Sequence, residues 1–274
     1  MIAELLITFR ETLEVALVVG IVLVYLVRIK QPSYKKFVWW GVSFGILASI
    51  IGAIIFTSLF GGFNGRAEQI FEGVLMFVAA GLLTSMILLM MKQGKYVAQH
   101  LEKQVSREID EKHAFGLMAL VFFAVLREGI ETVIFLGAAS RLEETSILGS
   151  LLGIGVALIL SWLLFLGTSK LRVGLFFKVT SLILIFFAAG LFAYGIHEFQ
   201  EARMVPVVIE HVWDINWLIN EKSNSGTILK TLFGYNGNPS FLEVTGWSVY
   251  LISVFGIYMN IEKFSYSDKK KYNS

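Results

Sequence analysis

The 274-residue sequence contains no cysteine. That absence excludes a disulfide framework, thiolate sites for zinc or copper, and iron–sulfur clusters; metal chemistry here must rest on oxygen and imidazole donors, a set that favours hard cations. Charge is scarce too: 16% of the residues are charged, against 56% hydrophobic and a mean hydropathy of +0.71. No water-soluble globular domain has that balance, so the chain is read as a membrane protein. A formal charge of +2, from 23 basic and 21 acidic side chains, is too small and too dispersed for a nucleic-acid partner. The glycine-containing stretch from Gly61 to Glu68 lacks the closing Gly-Lys pair of a nucleotide-binding loop, which excludes nucleotide hydrolysis by this chain.

What is present is apolar length. A spanning helix needs about 20 residues. Seven stretches qualify, at 3–27, 37–60, 68–91, 115–139, 147–169, 174–197 and 243–261. The first holds Glu4, Arg10, Glu11 and Glu14, unlike the plain apolar core of a secretory signal, and is expected to be a retained helix. The fold class expected is all-α, a polytopic bundle of seven transmembrane helices. Lysine and arginine mark the cytoplasmic loops. Sixteen lie after segments 1, 3 and 5 and in the tail, including Lys95, Lys112, Lys170 and Arg172, against five (Arg66, Arg141, Arg203, Lys222, Lys230) in the alternate loops. The N-terminus is therefore expected outside and the C-terminus inside.

Two runs repeat. Phe77, Ala79, Ala80, Gly81 and Leu82 recur as Phe186, Ala188, Ala189, Gly190 and Leu191 at an offset of 109, and Gly41, Gly45, Ser49 and Ala53 recur as Gly149, Gly153, Ala157 and Ser161 at an offset of 108. Small residues at every fourth position let helix backbones approach closely, which makes segments 2 and 5 candidate packing spines. A repeat unit of three helices is odd in number, so the second copy must be inverted, a transporter layout with the substrate at the repeat interface. The organisation expected is one membrane domain: repeat 1 in 1–91, a cytoplasmic loop in 92–114, repeat 2 in 115–197, an extracytoplasmic loop in 198–242, a seventh helix in 243–261 and a cytoplasmic tail in 262–274.

The remaining two basic residues sit inside apolar segments. Segment 1 carries Arg10, Glu11 and Glu14, and segment 4 carries Arg127, Glu128 and Glu131, the same R-E-x-x-E. Each charge near a helix centre costs about 2.5 to 3.5 kcal/mol even on a lenient insertion scale. The spacing gathers each triad on one broad helical face, so the two faces are expected to meet each other or water. Four carboxylates make an oxygen cage for a hard cation, with two guanidiniums as counter-charges and a net formal charge of −2. Structural salt bridges are the plainer reading, but a buried pair is weak support for stability and does not explain the duplication.

With its paired R-E-x-x-E motifs, the HEFQEA segment (His197 to Ala202) and the GYNGNP segment (Gly234 to Pro239), the chain resembles the oxidase-dependent iron permeases of fungi and bacteria over essentially its whole length. The resemblance implies iron import with no cofactor of the chain's own, the two motifs as the residues needed for translocation, and coupling to iron oxidation by a partner. Thr12-Leu13 and Gly129-Ile130 stand where the family usually has Gly-Leu, leaving the charged positions intact. The chain has no room for a fused extracytoplasmic domain, so an iron-oxidising or iron-delivering protein is expected to be separate.

On the expected outer side, Glu68 and Glu72 lie one turn apart, and His197, Glu198 and Glu201 cluster, a candidate vestibule that would concentrate cations. Glu68 and Glu72 also fit an ordinary acidic helix start. HEFQE is no zinc-protease signature, because Glu201 replaces the second histidine. Trp213 and Trp217 suggest a short interfacial helix, where His211 and Asp214 fit a solvated surface better than an ion site. The charged stretch from Lys92 to Lys112 reads as a solvated cytoplasmic helix. A permease for another cation, such as manganese or lead, would use the same cage. An intramembrane hydrolase is disfavoured because no histidine lies in a helix centre.

Overall fold

The computed structural model describes residues 1–60, 62–93, 97–110, 113–142, 146–165, 173–221 and 223–272. Among them there is no strand. The helices are α1 (Ile2–Arg28), α2 (Lys35–Phe60), α3 (Arg66–Gln93), α4 (Val97–Asp110), α5 (Ala114–Leu142), α6 (Ile147–Phe165), α7 (Val173–Glu201), α8 (Asn224–Phe233) and α9 (Phe241–Tyr272), with a 3-10 turn at Pro32–Tyr34. Each apolar stretch falls within one helix, apart from 166–169, which lie outside the described residues, as do Lys95, Lys112, Lys170, Arg172 and Lys222. The helices α2, α3, α6, α7 and α9 are long and apolar enough to cross a membrane. At 27 and 29 residues α1 and α5 have the length, but they carry the charged triads.

The strongest packing pairs α1 with α6, α2 with α5 and α3 with α7. Glycine explains the first two. A Cβ on Gly41 of α2 would lie 2.6 Å from the Met118 carbonyl oxygen of α5, and one on Gly149 of α6 would lie 2.5 Å from that of Met1, the residue that caps α1. Gly45 meets Val125 and Phe122, and Gly153 meets Thr8 and Phe9, so both small-residue stripes lie backbone to backbone on a motif helix. The Thr8 hydroxyl donates to the Ser150 carbonyl oxygen at 3.0 Å across the α1/α6 seam. The stripes are packing spines as expected. Further along, the Phe165 ring fills the space beside Gly20, and the Phe56 ring fills that beside Gly137.

The repeated Phe-x-Ala-Ala-Gly-Leu run is the α3/α7 contact: Ala79, Ala80, Ala188 and Ala189 are fully buried in the largest apolar cluster. That cluster joins Ala3 and Ile7 of α1 to Phe135, Ala138 and Leu142 of α5. A second one joins Val19, Val22 and Leu26 of α1 to Leu117, Val121 and Val125 of α5. The two motif helices therefore run antiparallel.

Two connecting segments depart from expectation. The charged stretch is not merely solvated: α4 is amphipathic and buries Val105, with Ile109 beside it, against α1 and α5. No helix forms around Trp213 and Trp217. There the Val212 and Ile215 amides donate to the carbonyl oxygens of Pro239 and Gly237, and the Asp214 carboxylate accepts from the Asn216 amide, partners that compete with helical bonding. The short helix is α8 instead. Ser223 caps its start by accepting from the Gly226 amide at 3.1 Å, and Gly234 closes it in the left-handed conformation at φ 67°, its backbone against that of Gly190.

Candidate metal centre

Arginine and second glutamate are four residues apart in both motifs, so an unbroken helix stacks them on one face. In α1 the Arg10 guanidinium lies 3.3 Å from Glu14 through Nε and 3.7 Å from Glu11 through Nη1, while Nη2 reaches the Met90 sulfur of α3 at 3.3 Å. In α5 the Arg127 Nε lies 2.9 Å from Glu131 and 3.6 Å from Glu128. The antiparallel register brings the two faces together. Glu11, Glu128 and Glu131, all buried, place carboxylate oxygens within 4.8 Å of one another. Glu14 stays with Arg10, outside that trio but within electrostatic reach of Glu128 and Glu131.

Hydrogen bonding around the trio is incomplete. Both oxygens of Glu11 and one each of Glu14, Glu128 and Glu131 are buried without a hydrogen bond; Nε and Nη1 of Arg10 are unbonded too and face two of them, but no donor of the described residues faces the remaining three. Orphaned buried carboxylate oxygens are costly and call for a partner. Four carboxylates against two guanidiniums supply hard donors and a net negative charge, which suits a divalent cation. The two halves differ in one respect. Arg10 is 1% exposed and Arg127 59% exposed, so one arginine is enclosed by the bundle and the other lies on its surface, on the face of α5 that also carries the exposed Phe123 and Ile130.

A second acidic group lies where α3 begins and α5 and α7 end. Arg141 of α5 contacts Glu72 at 2.5 Å and Glu68 at 3.6 Å; Gln69 donates to Glu201 at 2.9 Å; and His197 lies 3.2 Å from Glu201. Glu198 is buried beside Glu72, Glu201 and His197. All five vestibule candidates thus gather at one place.

Sequence reasoning passed over Arg141 and Glu243. Glu243 takes the other His197 nitrogen at 3.1 Å and accepts from Asn236 at 2.6 Å, tying the GYNGNP segment to the HEFQEA segment. Its signal was position, an acid opening an apolar stretch just after GYNGNP. Next to it a polar cavity of about 380 Å³ is lined by residues that include Tyr194, His197, His211, Glu221, Lys230 and Asn238. His211 faces that cavity, while Asp214 serves a local turn.

Residues 1–262 match the Iron permease FTR1 family. The ferrous iron permease EfeU of Escherichia coli O157:H7 is 36% identical over 257 residues, covering 92% of this chain and 93% of that protein, and the protein of the same name from Shigella sonnei (strain Ss046) gives the same values. The EfeU of Yersinia pestis is 35% identical over 257 residues, covering 92% of this chain and 91% of its own. No solved structure matches the chain. With permeases as relatives and five helices fit to cross a bilayer, the chain is a multi-pass membrane transporter rather than an enzyme. It belongs to the FTR1 iron permease family.

Proposed function

We propose that this chain imports iron across the cytoplasmic membrane, taking the ferrous ion named for its relatives through a central site of Glu11, Glu14, Glu128 and Glu131. The observation that carries the reading is the buried trio of carboxylates, drawn from two helices and short of hydrogen-bond donors. Arg10 and Arg127 serve as counter-charges when no ion is bound. In this reading α1 and α5 span the bilayer with the five more apolar helices, N-terminus outside, C-terminus inside.

An inverted repeat is supported by the identical motif on antiparallel helices. It is supported also by Gly20 with Phe165 and Gly137 with Phe56, which stand at the same sequence offsets as the motifs and the repeated runs. In this orientation Arg127 lies on the inner side of the cluster and Arg10 on the outer side.

Iron would first meet the acidic vestibule, delivered or oxidised by a separate extracytoplasmic protein. Arg141 and Glu131 are ten residues apart on α5, about 15 Å. Between them Phe135 and Ala138, with Leu75 and Met76 of α3, form a buried apolar layer that must part for the ion to pass. An inside-negative potential favours entry by about 2.3 kcal/mol per charge per 100 mV.

The test is anaerobic uptake of radioactive ferrous iron into proteoliposomes with an inside-negative potential. Glu14→Ala and Glu131→Ala are each expected to lower uptake at least about tenfold, a loss of about 1.4 kcal/mol. Full uptake in either well-folded variant would show that the central site is misassigned. Because oxygen donors discriminate weakly between ferrous iron and manganese, a competition series in the same assay measures selectivity.

A further inference from the structure

We propose that Met90 of α3 is a positioning residue for the transported ion: its thioether holds the Arg10 guanidinium beside Glu11 and Glu14 but off their hydrogen-bonding lines, which leaves those carboxylates free for an incoming divalent cation. This rests on the central-site reading above. The support is a contrast between the two copies of one motif. In α5 the Arg127 Nε donates to Glu131 at 2.9 Å. In α1 the equivalent Nε lies 3.3 Å from Glu14 and Nη1 3.7 Å from Glu11, yet neither nitrogen makes a hydrogen bond. The bond that Arg10 does make among the described residues runs from Nη2 to the Met90 sulfur at 3.3 Å.

A buried guanidinium has five N–H groups to satisfy, and with two carboxylates at hand it would ordinarily close on one of them as a two-pronged pair. Arg10 is 1% exposed, so water does not stand in for an acceptor. The thioether is a weak, uncharged acceptor. It restrains the guanidinium without adding a negative charge that would itself compete for the metal. An ion reaching Glu11 and Glu14 then has no hydrogen bond to break on α1, whereas on α5 it must part Arg127 from Glu131. Met90 thereby makes Glu11 and Glu14 the carboxylates that take the ion first and sets how tightly they hold it.

The experiment measures manganese binding to the whole chain in detergent, by the electron paramagnetic resonance of the free ion. Met90→Leu keeps the volume and removes the acceptor. Arg10 then closes on Glu14, and the Kd is expected to rise about tenfold, the weight of one charge-assisted hydrogen bond. Met90→Gln returns an acceptor and should bind within about threefold of wild type. In an Arg10→Met background Met90→Leu should change the Kd by less than about twofold, because Met90 acts through the arginine. In metal-free protein isotope-labelled at its arginine nitrogens, the Arg10 Nε–H resonance, assigned by its loss in Arg10→Met, should move downfield in Met90→Leu and hold its place in Met90→Gln. A Met90 that only fills space would give the reverse order, with leucine tolerated and glutamine disruptive. That order, or an equal effect of Met90→Leu with and without Arg10, overturns the proposal. If the wild type binds manganese no better than Glu11→Gln/Glu128→Gln, the central-site reading fails, and the Arg10 resonance still decides the role of Met90.

Discussion

Removing Arg10 should cost more stability than removing Arg127, although the two occupy the same place in the same motif. In Arg10→Met the side chain keeps its length but leaves Glu11 and Glu14 without their nearest cation in a site where Arg10 is 1% exposed. Breaking a buried ion pair from one side costs about 3 to 5 kcal/mol. The Arg127 pair has a 59% exposed guanidinium. Its loss also leaves Glu128 and Glu131, 10% and 12% exposed, without their cation, and should cost about 1 to 3 kcal/mol. At about 2 to 4 °C per kcal/mol, Arg10→Met is expected to melt about 6 to 20 °C below wild type, and Arg127→Met about 2 to 12 °C below. Metal sharpens the contrast. A divalent ion at a hundred times its Kd stabilises any folded form that binds it by about 2.7 kcal/mol. Because that ion supplies the charge that Arg10→Met lacks, the variant should bind more tightly and gain more from a given concentration. The assay is thermal unfolding in detergent, first with chelator and then with manganese or anaerobic ferrous iron. Equal melting temperatures for the two variants, or a smaller metal-induced rise in Arg10→Met than in wild type, would refute the reasoning.

Two further outcomes follow from the packing. Gly41→Leu and Gly149→Leu push a side chain into a facing backbone and should each lose about 1 to 3 kcal/mol or more, whereas Gly52→Leu and Gly155→Leu, with nothing within 4 Å, should melt like wild type; thermal unfolding of the four separates close approach from mere helix propensity. Ser223→Ala removes the cap of α8 and should cost about 1 kcal/mol, speeding hydrogen exchange of the Gly226 and Thr227 amides about fivefold if they exchange by local opening.

The gathering of Glu11, Glu128 and Glu131 was legible because charge recurs, at a spacing that shares a face, in two helices that pay heavily for it; that Glu14 stays with Arg10 outside the trio was not. The antiparallel meeting of those faces is what an odd-numbered repeat would require. The difference between Arg10 and Arg127 could not be read, since identical motifs differ there only through what the rest of the bundle leaves open. Arg141 and Glu243 were missed for a related reason. Arg141 stands about 70 residues from its partners and Glu243 about 45 from His197, so neither pairing has a local pattern. The Trp213–Trp217 spacing misled because two aromatic residues four apart suggest a helix only if the backbone has no better partners, and here the chain around Pro239 provides them.

The small-residue stripes also bear on how the site would move. Backbone contact along Gly41 and Gly45 joins α5 to α2, and contact along Gly149 and Gly153 joins α1 to α6, so each pair of glutamates would travel with a helix from the other half of the chain. Gly20 and Gly137 each lie nine residues past the first glutamate of their motif, and because α1 and α5 run antiparallel, the rings that fill them lie on opposite sides of the site. Phe56 belongs to the side of the buried layer around Phe135, and Phe165 to the side on which Arg127 is exposed. A tilt of one helix pair against the other would tighten one side as it loosens the other without breaking either backbone seam. The cost of switching then falls on the apolar contacts between pairs rather than within them.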